Sequence, residues 1–170
     1  QGLPTWYEIR VTRDGYQSRS DRVDIMVAMN AQTYAQDMAE LTPGGWLIYD
    51  STWPRSRQLS RDDITVVGVP LSRMCNERFD GVRTRILMKN IAYVGVIAAL
   101  TDIDLEVIKG LLEETFAEKQ HLIAANMEAI HLGYDYAAEH YNGPPAPKVE
   151  KMDATRSHIV IDGNTASALG

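Results

Sequence analysis

Apolar residues along this chain come first in short β-branched and aromatic bursts and later in long stretches with helical spacing. Tyr7-Glu8-Ile9-Arg10-Val11 alternates and runs into Arg13-Asp14-Gly15-Tyr16, which predicts a strand entering a turn, as in a hairpin. Val23 to Met29 is a nearly continuous apolar run, as expected of a strand covered on both faces. Asn30 can then cap a helix through about Leu41, with Tyr34, Met38 and Leu41 on one face and Gly44-Gly45 ending it. Trp46 to Ser51 predicts the next strand and Ile64 to Pro70 another. The second half predicts helices. Ile86 to Leu100 is apolar and rich in small residues, and Asp104 caps a helix whose stripe is Leu105, Ile108, Leu112 and Phe116. A third helix carries Leu122, Asn126, Ala129, Ile130, Gly133, Tyr134 and Ala137 on or near its inner face.

Strand, helix, strand, loop and strand in this order imply parallel pairing through crossovers. The expected fold class is α/β: an open, mostly parallel, Rossmann-like sheet with helices on both faces and a C-terminal helical part. Gly143-Pro144-Pro145-Ala146-Pro147 stops the last long helix, because proline neither donates the backbone bond nor tolerates a helical residue before it. Beyond it, His158 to Ile161 reads as a short strand, Asp162-Gly163-Asn164 as a turn with a helix cap, and Thr165 to Leu169 as the first turn of a helix. The expected division is a domain over 1–141, a Pro-rich linker over 142–157 and the beginning of a second α/β domain over 158–170. Gln1 in place of Met, and a domain that starts in the last residues, predict a chain cut at both ends.

Composition narrows the function. With 170 residues, 45% of them hydrophobic, the chain can bury a full core. A net charge of -6 with scattered Lys and Arg argues against nucleic-acid binding. The run Ile91 to Leu100 is short of the roughly 20 apolar residues of a membrane span, so no membrane role is expected. Cys75 is the one cysteine, which rules out an internal disulfide and a self-held iron–sulfur cluster, favours an intracellular protein, and reads best as a packed thiol. His121, His131, His140 and His158 are dispersed, and no metal site is expected.

Candidate chemistry is sparse. No GxGxxG, Walker A or GxSxG pattern occurs. In open α/β sheets ligands lie beyond the carboxyl ends of strands, which singles out Asn30 and Ala31 after one strand and Asp50, Ser51 and Thr52 after the next. Asn30 is also explained as a helix cap and Ser51-Thr52 as a turn, and capping is the commoner use of such residues. Lys89-Asn90 interrupts an apolar helix. The pair suits a cofactor phosphate or another subunit, and a snorkelling lysine suits it equally.

The blocks VDIMVAMNAQTYAQDMAELTPGGWLIYDSTWP, ITVVGVPLSRMCNE, RILMKNIAYVGVIAAL, LLEETFAEK and AANMEAIHLGYDYA, in this order, resemble the gamma domain of the 2-oxoacid:ferredoxin oxidoreductases. HIVIDGNTASALG resembles the opening of their alpha domain, of the thiamine-enzyme pyrimidine type. GLPTWYEIRV and DGNTA look most similar to the alpha subunit of the 2-oxoglutarate members. The resemblance implies an enzyme that decarboxylates a 2-oxoacid on thiamine diphosphate with Mg2+, passes electrons through [4Fe-4S] clusters to ferredoxin, and transfers the acyl group to coenzyme A. It implies a cytoplasmic heterodimer, or a dimer of heterodimers, with a beta subunit that carries thiamine diphosphate and cluster. The family's glycine-rich first turn is absent before Gln1, and its YPITPS-like thiamine motif would lie beyond Gly170. This chain is therefore expected to hold no catalytic residue and to serve as scaffold and possible coenzyme A site, with Asn30, Ser51, Thr52, Lys89 and Asn90 as the candidate contacts. The alternatives are a noncatalytic subunit-interaction domain, or a member acting on pyruvate or branched-chain oxoacids.

Overall fold

Three parallel strands in the order β1-β2-β3 form the centre of the computed structural model: β1 (Val23–Ala28), β2 (Leu41–Asp50) and β3 (Thr65–Val69). The structure describes residues 5–15, 18, 20–117, 119–152, 157–159 and 161–169. Side chains alternate across β2 as pleating requires: Trp46 and Ile48 enter one core and Leu47 the other. Both crossovers lie on the Leu47 face. There α1 (Tyr34–Glu40) brings Met38, and a 3-10 turn at Arg57–Leu59 brings Leu59, onto Met26, Ala28 and Leu47. Crossovers of one hand between strands added in one direction must land on one side, so the opposite face is left for later helices. There α2 (Leu71–Arg78), α3 (Val82–Thr101) and α5 (Gln120–His140) pack Leu71, Cys75, Met88, Ala92, Tyr93, Val96, Ala129 and Ala137 against Trp46, Ile48, Val67 and Val69. The α/β class with helices on both faces is as the sequence implies.

Several local expectations need correction. Residues 5–12 form no strand, and Tyr7, Ile9 and Val11 are exposed. Their alternation has no partner strand among the described residues, and the segment is pinned instead by Trp6, whose indole Nε1 donates to Asp37 Oδ1 at 2.8 Å. Asn30 closes a turn rather than capping α1 directly: its Oδ1 accepts from Gln32 N at 3.0 Å, and its carbonyl accepts from Thr33 N at 3.0 Å. The helix begins only at Tyr34 and stops at Glu40. Gly44-Gly45 does not end it, because both glycines lie inside β2. Val23 pairs with Leu41 and Ile25 with Trp46, so β2 carries extra residues that bulge there. Gly44 has a φ of 78°. A Cβ at Gly45 would lie 2.8 Å from the Thr42 carbonyl oxygen and 3.1 Å from that of Asp24, so only glycine fits the fold-back.

The helical half follows the predicted periodicity with wider bounds. On α5 the residues Asn126, Ala129, Ile130, Gly133 and Ala137 are buried as expected, together with Ile123. On α4 (Leu105–Thr115) Asp104 caps through Glu106 N at 2.9 Å, and Leu105, Ile108 and Leu112 form a half-buried stripe. The apolar helix α3 is 20 residues long, which corrects the shorter run read from the sequence. By length and composition alone it would pass for a membrane span. Seven of its residues are buried in this fold, as in a core helix. The short helix α2 was not anticipated.

Beyond α5 the chain does not leave the body at once. Ala146 is buried in the core, Val149 N donates to Thr101 O at 2.8 Å, and Lys148 Nζ lies 2.7 Å from Asp102 Oδ2. Of the expected strand His158 to Ile161, residues 158, 159 and 161 have no strand pairing and Val160 lies outside the described residues. Asp162 then caps α6 (Gly163–Leu169), its carboxylate accepting from Thr165 N at 3.0 Å.

Candidate functional site

At the carboxyl end of β2 several polar side chains converge on Asp50. Asp50 is the last residue of β2, opposite Val69, and Ser51 N extends the ladder by donating to Val69 O at 3.0 Å. After β3 the chain turns at Pro70 straight into α2, which places the first amides of α2 beside Asp50. Asp50 Oδ1 accepts from Thr52 N at 3.1 Å and from Thr52 Oγ1 at 2.6 Å. Oδ2 accepts from Ser72 N at 3.2 Å and from the Ser72 hydroxyl. Thr52 Oγ1 in turn accepts from Arg73 N at 3.0 Å. Lys89 Nζ, reaching from α3, lies 3.7 Å from Asp50 Oδ2.

A carboxylate therefore sits where a helix N-terminus with free amides would attract an anion. Burial pushes the Asp50 carboxyl up, but the hydrogen bonds from Ser72 and Thr52 outweigh it and hold the group below its ordinary value. The side chains of Lys89 and Asp50 are 22% and 11% exposed, so the pair is partly shielded from water. Below it the surroundings are dry. Burial, with Asp50 adding to it, raises the Cys75 thiol to about 11, although Lys89 pulls the other way. Burial first, then Asp50 and Tyr34, push the Tyr93 phenol up as well. Among the described residues the Tyr93 hydroxyl is the one buried side-chain polar atom without a hydrogen-bond partner.

The sequence-derived candidates separate in space. Thr52 and Lys89 meet on Asp50, and Ser51 lies in the backbone beside them. Asn30 follows β1 at the same edge, since Ala28 pairs with Tyr49, but its side chain is engaged in its own turn. Asn90 is exposed on α3, and no hydrogen bond joins it to the cluster among the described residues. Ser72 and Tyr93 were missed. Leu71 and Cys75, one helical turn apart after Pro70, are the signal that could have revealed α2 and with it Ser72.

No group of three or more His, Cys, Asp or Glu that could hold a metal exists among the described residues, and the sole thiol, Cys75, is buried. With Cys75 the one thiol, these residues do not fit a [4Fe-4S] cluster. A hollow at the other end of β1 is lined by Glu8, Ser20, Asp21, Val23 and Glu40, and its acidic rim does not suit phosphate either.

Residues 1–136 match the family described as pyruvate ferredoxin/flavodoxin oxidoreductase. The chain belongs to this family. The ketoisovalerate oxidoreductase subunit VorA of Methanothermobacter thermautotrophicus is 26% identical over 72% of this chain and 24% of its own length. Subunit alpha of 2-oxoacid:ferredoxin oxidoreductase 2 from Aeropyrum pernix is 23% identical over 99% of this chain and 33% of its own. The 2-oxoglutarate oxidoreductase subunit KorA of Mycobacterium tuberculosis is 25% identical over 96% of this chain and 28% of its own. The chain thus spans a third or less of these curated relatives. In fold it is similar to the 2-oxoglutarate:ferredoxin oxidoreductase of Magnetococcus marinus, with a TM-score of 0.63 and 21% identity over 76% of this chain and 22% of that one. That structure has 2-oxoglutarate, coenzyme A and succinyl-CoA bound.

Proposed function

We propose that this chain is part of the alpha subunit of a 2-oxoacid:ferredoxin oxidoreductase acting on 2-oxoglutarate, and that it serves as scaffold and as one wall of the coenzyme A site. In this reading a cytoplasmic heterodimer, or a dimer of such heterodimers, converts the 2-oxoacid to its acyl-CoA and passes the electrons to ferredoxin. Thiamine diphosphate, Mg2+ and [4Fe-4S] would supply the decarboxylation and the electron path from the beta subunit. What this chain's own residues do is bind and orient. The observation that carries the reading is the partly exposed cluster of Thr52, Lys89 and Asp50 at the carboxyl edge of a parallel sheet, where ligands of such sheets collect.

A noncatalytic interaction domain is the competing reading. It is favoured by Val82, Ile86, Leu87 and Val94, which leave the outward side of α3 exposed and apolar. Hydrogen exchange on the alpha subunit joined to its beta subunit separates the two. Coenzyme A should slow exchange at Asn30, Ser51, Thr52, Lys89 and Asn90 if this chain lines the site. A complex that binds coenzyme A without any change at these positions would leave the interaction role alone.

A further inference from the structure

The Lys89-Asn90 pair is split between two sides of α3. Lys89 turns in toward Asp50, and Asn90 is left on the outward side, exposed, with no side-chain hydrogen bond among the described residues. Around Asn90 that side is apolar. Val82 and Ile86 precede it at steps of four residues and Val94 follows at the same step, so the four lie along one ridge of the helix, with Leu87 beside them. Val82, Ile86, Leu87 and Val94 are 73%, 58%, 54% and 40% exposed. A partner that laid only apolar side chains on this ridge would strip the amide of water and give it nothing in return.

The ends of α3 carry charge of the wrong sign for their own helix. The first turn holds Arg83 and Arg85 and no acid, the last turn holds no base, and Asp102, Asp104 and Glu106 follow directly. Arg85 also donates to the Phe79 carbonyl at 2.7 Å and keeps its charge. From 80 to 85 the balance stays positive against Asp80, and from 102 to 109 it stays negative against Lys109 and against Lys148, which pairs with Asp102. Asp104 and Glu106 serve the start of α4, yet their charge lies beside the end of α3 all the same. The macrodipole of α3 favours the reverse at both ends. A second α3 laid antiparallel supplies it, because each basic end then meets the acidic end of the other copy. A parallel copy would set like charges together.

We propose that the outward side of α3 is where two copies of this chain meet, antiparallel, about a twofold axis that passes beside Asn90. In such a pair, residues equally far from the axis face each other, and Ile86 and Val94 are each four residues from Asn90, so Ile86 of each copy packs on Val94 of the other. The residue on the axis meets itself. An amide suits that position because it donates and accepts at once, and a single polar residue inside an apolar helix contact fixes its register and the number of copies. Four apolar side chains cover less than the roughly 800 Å2 per partner of a stable dimer, so α3 is the centre of a wider interface. The proposal is independent of the coenzyme A reading, from which it takes only Asn90.

The test uses the alpha subunit in complex with its beta subunit. Asn90→Cys, oxidised with copper–phenanthroline, should link alpha to alpha through a disulfide that mass spectrometry maps to position 90, and Arg57→Cys, on the other face of the sheet, should not. Equal linking at both positions is random collision and would overturn the proposal, as would a folded complex with no link at position 90. Ile86→Asp, an exposed position, should halve the mass of the assembly while alpha and beta stay joined. An assembly that keeps its mass would contradict the proposal, and one that loses its beta subunit instead would show that the beta subunit covers α3. Asn90→Asp sets two carboxylates against each other and should weaken the pairing about tenfold at neutral pH, and less at about pH 5, where such a pair shares a proton. Unchanged pairing would remove Asn90 from the axis. None of these readouts uses coenzyme A, so the failure of either proposal leaves the other standing.

Discussion

Gly95 on α3 lies against the backbone of Ile130 on α5 so closely that a Cβ at position 95 would be 1.9 Å from the Ile130 carbonyl oxygen. Gly133 mirrors this, with a Cβ 2.0 Å from the Ala92 carbonyl oxygen. The two helices that cover the sheet thus cross backbone to backbone, and Ala92, Val96, Ala129 and Ala137 complete the contact. Gly95→Ala and Gly133→Ala should each cost about 3 kcal/mol, because backbone cannot yield as a side chain can. Chemical denaturation reads this directly. A loss below about 0.5 kcal/mol would mean that the helices are further apart than described.

Asp50 binds three pieces of chain together: the end of β2, the loop at Thr52 and the first turn of α2. Asp50→Ala should destabilise by about 2 kcal/mol, through the lost cap and the donors left without an acceptor. The pH dependence follows from the lowered carboxyl. Its contribution is complete above the ordinary carboxylate value of 3.8 and is lost as pH falls through the lower value of the folded state. The difference in stability between wild type and variant should therefore shrink in acid, below about pH 4. A difference that is constant down to pH 2 would contradict the network.

Cys75 should be inert. Its thiol is 1% exposed and raised from 9.0 to about 11, so neither access nor thiolate is on offer near neutrality. Labelling by a thiol reagent should proceed at the rate of global unfolding, and rapid labelling of the native protein would show that α2 opens on its own. Because the folded value is the higher one, stability from this group is full below pH 9 and declines as pH rises toward 11.

The segment after α5 gives a proteolytic test. Lys148 is held by Asp102 and Val149 by Thr101, whereas Glu150, Lys151 and Met152 are exposed and without regular structure. Trypsin should cut after Lys151 before it cuts after Lys148. Early cleavage at Lys148 would show that the strap is loose.

How far the sequence announced these features depends on whether neighbours in sequence or in space decide them. The strand Val23 to Ala28 and the inner face of α5 were legible because the local apolar pattern alone marks them. Tyr7 to Val11 misled, since an alternating segment becomes a strand only when another strand is there to pair with it. Gly44-Gly45 looked like a helix stop, and its real use, a bulge squeezed against the Asp24 carbonyl, depends on a partner strand that local sequence does not reveal. At the candidate site Thr52 and Lys89 were found by strand-end position and by an odd charge in an apolar helix. Ser72 escaped because α2 was not recognised, and Tyr93 because an aromatic in a core helix says nothing of whether its hydroxyl finds a partner.

Ferredoxin reduction by the alpha subunit together with its beta subunit tests the central claim most directly. With 2-oxoglutarate and coenzyme A the complex should reduce ferredoxin, and it should do so faster than with pyruvate or a branched-chain oxoacid. Lys89→Met should raise the KM for coenzyme A by about tenfold while leaving the KM for the 2-oxoacid unchanged. No ferredoxin reduction with any 2-oxoacid, or a Lys89→Met complex with wild-type coenzyme A kinetics, would contradict the account.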